Sequence, residues 1–127
     1  MNIPENLRYT EEHEWIRLEE GNIAYVGITD FAQGELGDIV YVEIETVGEE
    51  LEQNAVFGTV EAVKTVSDLY LPVAGTILAV NENLADAPET VNQDPYQEGW
   101  MIKMEVSNPA EIDALLSAES YQNFISA

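Results

Sequence analysis

Apolar residues alternate with polar ones in short runs, and Gly, Asn or Asp separates the runs. This pattern commits most of the chain to β structure, because only a strand sends successive side chains to opposite faces. The clearest run is residues 100–106: Trp100, Ile102, Met104 and Val106 face one way, Lys103 and Glu105 the other. Asp38-Ile39-Val40-Tyr41-Val42-Glu43-Ile44 repeats the pattern, with Val40, Val42 and Ile44 on one face. Further strands are expected at Glu14-Trp15-Ile16-Arg17-Leu18, at Ile23-Ala24-Tyr25-Val26-Gly27-Ile28 after the turn at Gly21-Asn22, at residues 56–63 and 65–71, and at residues 75–80. Pro72 confines the run before it to a sheet edge or a strand end.

Helical signals are brief. Asp30 is placed to cap a short helix over residues 31–36, stopped by Gly37. Residues 81–99, with Pro88 and Pro95, read as a surface loop holding a turn or two of helix. Near the C-terminus the period changes from two to 3.6. Asn108 as cap, Pro109 in the first turn and Glu111 closing a capping box lead into an Ile112, Leu115, Leu116 stripe. Ser117 can cap a second helix carrying Tyr121, Phe124 and Ile125, and both helices are expected to cover an open part of the sheet. The fold expected is a small β barrel or sandwich with helical trim, one domain over residues 1–127.

Charge narrows the function. The chain has 25 acidic residues against 4 basic ones, a net charge of −21, with 46% hydrophobic residues to build a core. Such a surface repels nucleic-acid phosphates and anionic lipid and suits basic partners or cationic ligands. Without cysteine there is no disulfide framework, thiol nucleophile or Cys-ligated zinc. No apolar run approaches the roughly 20 residues of a membrane span, and the start, Met1-Asn2-Ile3-Pro4-Glu5-Asn6, is no targeting segment; the expected compartment is the cytoplasm.

Lys64 stands out. It is one of two lysines and lies in Glu61-Ala62-Val63-Lys64-Thr65-Val66-Ser67-Asp68, between two β-leaning runs. A strand-turn-strand tip presents an amine on a fixed, protruding backbone, as covalent modification requires. The plainer reading, an ordinary surface lysine, stays open here, because the turn lacks the Asn-Gly or Asp-Gly of a tight hairpin. Lys103, mid-strand on the polar face, reads as a paired surface charge. His13, within Glu11-Glu12-His13-Glu14, sits among carboxylates. Neighbours in an extended segment diverge, so a structural or surface role is favoured over a metal site. Nucleophile elbows and phosphate loops are absent, and the abundant carboxylates carry no specific signal.

Taken together, several ordered segments resemble the H-protein family of the glycine cleavage system over nearly the full length. They are Tyr9-Thr10-Glu11-Glu12-His13-Glu14-Trp15, Val26-Gly27-Ile28-Thr29-Asp30-Phe31-Ala32, Leu36-Gly37-Asp38-Ile39-Val40, Glu61-Ala62-Val63-Lys64, Ser67-Asp68 and Pro95-Tyr96-Gln97-Glu98-Gly99-Trp100-Met101-Ile102-Lys103. The resemblance implies a mainly β barrel-sandwich hybrid of the lipoyl/biotinyl-carrier type with a C-terminal helical segment. It implies lipoate amide-linked to Lys64, an arm cleft lined by Glu14 and Asp68 with Glu12 and His13 nearby, and Glu61, Val63 and Ser67 as candidates for recognition by the modifying enzyme. It further implies a non-catalytic, metal-free, monomeric carrier. Its partners would be a pyridoxal-phosphate glycine decarboxylase, a tetrahydrofolate-dependent aminomethyltransferase, dihydrolipoamide dehydrogenase, and a lipoate ligase or octanoyltransferase. Ala62, Thr65, Leu71 and Glu45 depart from the family's usual Ser, Ala, small residue and Pro. Alternatives are a biotinyl carrier (though Val63 and Thr65 replace the Met pair of that family), a relay of lipoyl or octanoyl groups to other enzymes, and an acidic interaction module with Lys64 unmodified.

Overall fold

The computed structural model describes residues 2–126, which form two antiparallel sheets packed face to face. Nine strands run in chain order: β1 (Arg8–Tyr9), β2 (Glu14–Leu18), β3 (Ile23–Ile28), β4 (Ile39–Glu43), β5 (Glu50–Leu51), β6 (Val56–Ala62), β7 (Val66–Tyr70), β8 (Gly75–Val80) and β9 (Ile102–Val106). The larger sheet has the order β1-β2-β3-β9-β8-β5 and the smaller β4-β6-β7. Helices α1 (Asp30–Leu36), α2 (Asn83–Asp86), α3 (Thr90–Gln93) and α4 (Ala118–Ser126), with a 3-10 helix at Pro109–Ala114, complete the mainly β fold.

The inward positions of both sheets form one core. Ala24, Val26, Ile28, Ile77, Ile102 and Met104 come from the larger sheet, and Ile39, Phe57, Val60 and Leu69 from the smaller. Each of these side chains larger than alanine contributes roughly 1.5–3 kcal/mol on burial. A second cluster gathers Leu7, Tyr9, Trp15, Tyr96 and Tyr121. It depends on Gly27, which pairs with Trp15 across the strands; a Cβ there would lie 2.8 Å from the indole. The indole N–H donates to Pro95 O at 3.0 Å, which ties the long loop to β2.

Most of the alternation is realised, with local corrections. Thr29, not Asp30, caps α1: its Oγ1 accepts from Ala32 N–H at 3.1 Å, while Asp30 opens the helix and accepts from Gln33 Nε2 at 2.7 Å. A bulge between Ile39 and Tyr41 breaks the expected Val40-Val42-Ile44 face, so Ile39 is buried and Val40 is 47% exposed. Trp100 does not share the face of Ile102: β9 starts two residues later, Met101 takes the core position, and Trp100 packs edge-on against Tyr25 with centroids 5.0 Å apart. Lys103 is not ion-paired, since among the described residues the only salt bridge joins Arg17 to Glu19. The capping box at Glu111 is not closed; the tighter 3-10 turn leaves Asn108 Oδ1 accepting from Ala110 N–H and a buried Glu111 oxygen without a partner.

The C-terminal segment does cover the sheet edge. Leu116 bridges Tyr9 with reciprocal backbone hydrogen bonds of 2.9 Å. Ser117 then caps α4 through Ser120 N–H at 3.1 Å. Of the expected stripe only Tyr121 is fully buried; Phe124 is 40% exposed. No helix among the described residues is long and apolar enough to cross a membrane.

Candidate functional site

Lys64 sits, exposed, at the tip of the β6–β7 hairpin. The pairing Glu61↔Val66 closes the ladder, Ala62 N–H donates to Thr65 O at 2.8 Å, and Val63 N–H donates to Asp38 O at 3.1 Å. Neither Val63 nor Lys64 has a positive φ, which accounts for the absence of an Asn-Gly signal: this tip does not use a turn that needs glycine. The lysine leans over the end of α1. A Cβ on Gly37 would lie 3.5 Å from Lys64 Cε, and Gly37 itself, at φ 84° and ψ −158°, adopts a conformation open almost only to glycine.

Beside the hairpin is a cleft of about 130 Å³ lined by Glu12, His13, Glu14, Ile28, Ala32, Glu35, Leu36, Val60, Ser67, Asp68 and Leu69. The four cleft candidates read from the sequence, Glu12, His13, Glu14 and Asp68, converge on it. So does Ser67, which the sequence suggested for enzyme recognition; Glu61 and Val63 point elsewhere, Val63 being 76% exposed. Sequence reasoning missed Glu35 and the apolar walls. Their only signal was the helical spacing of Ala32, Glu35 and Leu36, which lacks meaning until α1 is docked.

Glu14 is the least exposed polar member, at 2%. Thr10 Oγ1 donates to its Oε1 at 2.6 Å and Tyr70 N–H to its Oε2 at 3.2 Å. Glu14 thus covers a backbone donor on β7, an edge strand of the smaller sheet. Burial pushes its carboxyl up to about 8, against the opposing pull of these hydrogen bonds. His13 turns at φ 73° and its Nδ1 lies 2.8 Å from Tyr121 Oη. Burial lowers its pKa, partly offset by Glu12 and Glu35.

Asn92, also missed, organises the far wall. Its Oδ1 accepts from Ile39 N–H at 2.9 Å, and its Nδ2 donates to Gly37 O at 2.9 Å and Gln33 Oε1 at 3.0 Å. One side chain from α3 therefore pins both the end of α1 and the start of β4, the two segments beneath Lys64.

The arrangement is an exposed amine next to a small, apolar-walled, acid-rimmed cleft. No group of three or more His, Cys, Asp or Glu placed to hold a metal occurs among the described residues.

Comparisons with known proteins point to one family. The family model described as glycine cleavage H-protein matches residues 7–127. A glycine cleavage system H protein from Bacteroides fragilis is 60% identical over 127 residues, covering 100% of both chains. One from Symbiobacterium thermophilum is 59% identical, covering 97% of this chain and 95% of its own. The crystal structure of a glycine cleavage system H protein from Mycobacterium marinum superposes with a TM-score of 0.88 at 37% identity, covering 98% of this chain and 100% of that one. With the family match spanning nearly all of the sequence and the overall fold shared with a solved relative, this chain belongs to the glycine cleavage H-protein family.

Proposed function

We propose that this protein is the non-catalytic lipoyl carrier of a glycine cleavage system, with lipoate amide-linked to Lys64. The observation that carries the reading is the exposed Lys64 at a backbone-fixed hairpin tip beside the acid-rimmed cleft. When attached, the arm supplies a dithiolane that accepts an aminomethyl group at a pyridoxal-phosphate glycine decarboxylase, delivers it to a tetrahydrofolate-dependent aminomethyltransferase and is reoxidised by dihydrolipoamide dehydrogenase.

The residues fit such a group. The cleft volume of about 130 Å³ is close to the roughly 150 Å³ that accommodates a benzene-sized ring. Ile28, Ala32, Leu36, Val60 and Leu69 offer apolar walls to a small ring. Glu12, Glu14, Glu35 and Asp68 offer acceptors to an ammonium group. Tethering at Lys64 makes entry into the cleft intramolecular, which raises the effective concentration without any added contact. Walls that exclude water slow hydrolysis of what they enclose.

The recognition surface for the lipoate ligase or octanoyltransferase lies outside the cleft. Glu61 pairs with Tyr41 on one side and Val66 on the other, giving a cross-strand row next to Val63. Tyr41 is 50% and Val66 63% exposed. An apolar row with a central carboxylate suits a partner whose contact surface sets a basic group among apolar ones. The chain works as one domain and as a monomer in the cytoplasm, meeting each partner transiently.

Incubation with a lipoate ligase, ATP and lipoate, followed by intact-mass and peptide mapping, tests the proposal. One lipoyl increment on Lys64, absent from Lys64→Arg, is the expected result. No increment, or one on Lys103, overturns it.

A further inference from the structure

The C-terminal helix reaches the cleft through one hydroxyl. Tyr121 is fully buried and stacks on Tyr9, with ring centroids 4.8 Å apart and planes 11° off parallel. Its Oη lies 2.8 Å from His13 Nδ1 and 2.7 Å from Thr29 Oγ1. His13 belongs to the turn that forms one wall of the cleft. Thr29 caps α1, which forms the adjoining wall with Ala32, Glu35 and Leu36. The two segments also meet through Thr29 N–H donating to His13 O at 3.0 Å.

Hydrogen counting gives the bridge a direction. Thr29 Oγ1 already accepts from Ala32 N–H. If its own proton goes to Tyr121 Oη, the tyrosine proton is free for His13 Nδ1, and every proton finds an acceptor. That requires a neutral His13 protonated on Nε2, the form that burial favours.

We infer that Tyr121 is a positioning residue for the arm cleft: its hydroxyl, delivered by α4, braces the His13 turn against the N-cap of α1 and so holds the cleft at the width that shields a loaded arm. This rests on the reading of Lys64 as the lipoylated residue. The loss of one net hydrogen bond, shared between the walls, corresponds to about fivefold in the population of the closed cleft.

The test separates bracing from mere stability by a matched control. Tyr9→Phe removes another hydroxyl of the same cluster, the one donating to Pro4 O at 2.5 Å, but touches neither wall. Each lipoylated variant is reduced and loaded with formaldehyde and ammonium, which condense on the thiol as S–CH2–NH3+ with loss of water. Hydrolysis reverses this, breaking the S–C bond and releasing formaldehyde, ammonium and the thiol. Lipoylation of Lys64, and a wild-type lifetime longer than that of loaded free lipoamide, establish the underlying reading first; failure at that stage refutes the carrier proposal rather than the bracing.

Tyr121→Phe is then expected to shorten the lifetime about fivefold, with Tyr9→Phe at the wild-type value. A second readout needs no arm. Amide hydrogen exchange of the unmodified protein speeds up at residues 12–14 and 32–36 in Tyr121→Phe only. Thr29→Ser, which keeps both the helix cap and the partner of the tyrosine hydroxyl, is expected to stay at the wild-type value. Equal effects of Tyr121→Phe and Tyr9→Phe, or no effect of Tyr121→Phe on lifetime and exchange, overturn the inference.

Discussion

Replacing Glu14 by Gln removes a buried ionisable group while keeping its shape. In the folded state the carboxyl is raised from 4.5 to about 8, chiefly by burial. A raised acid pKa favours the folded state only while the group is protonated. The contribution is complete below the unfolded value and is lost as pH rises through the folded one. At pH 7 the unfolded chain has gained about 2.5 pK units of ionisation that the folded chain resists, a loss of roughly 3 kcal/mol. Glutamine does not ionise. Its amide can donate to Thr10 Oγ1 and accept from Tyr70 N–H, displacing the Thr10 proton, at a cost of about 1 kcal/mol. Glu14→Gln is therefore expected to be about 1 kcal/mol less stable than wild type near pH 4.5 and about 2 kcal/mol more stable at pH 7. Urea unfolding followed by the fluorescence of Trp15 and Trp100 measures the difference at several pH values, and the other carboxylates cancel in it. A difference that stays flat from pH 5 to 8.5 refutes the assignment of a neutral, buried Glu14. In the lipoylated protein the same change also removes the acceptor that can ionise opposite an ammonium group, so the loaded arm is expected to be lost faster.

Substitutions at three further positions probe the frame around the site. Gly37→Ala forces a side chain into a glycine conformation and is expected to cost about 1–3 kcal/mol, read as a lowered unfolding midpoint, and to slow lipoylation because Lys64 leans on that backbone. Asn92→Ala leaves Ile39 N–H and Gly37 O without their partner and is expected to cost about 2 kcal/mol; Asn92→Asp, which keeps the acceptor but loses the donor, should fall between. Gly75→Ala would put a Cβ within 2.3 Å of Glu105 O and 2.6 Å of Met104 Cε, between β8 and β9, and is expected to lower stability by about 3 kcal/mol or more in chemical denaturation.

The strands were legible because period two is a local property: each run shows its own buried face, and β2, β3 and β8 lie where the alternation puts them. Lys64 was legible for a similar reason, being a lone amine between two such runs, and the ordered motifs tied it to a family. Departures came where a partner outside the run decided the outcome. The bulge in β4 answers to its pairing with β6, and Met101 rather than Trp100 enters the core because its N–H is held by Val26 O. The cap of α1 moved to Thr29 because its hydroxyl reaches the helix while Asp30 is engaged by Asn2 and Gln33.

The sequence by itself determined a β sandwich of high negative charge with one amine displayed at a turn, since alternation, composition and a rare residue type can all be read in one dimension. Only the tertiary structure made the cleft. Its walls come from the turn before β2, from α1 and from β6 and β7, elements that stretch along the chain from Glu12 to Leu69. Its electrostatics follow from burial, which pushes the Glu14 carboxyl up to about 8 and lowers the pKa of His13. Dielectric environment and convergence are properties of three-dimensional packing, so no reading of residue order could assign them.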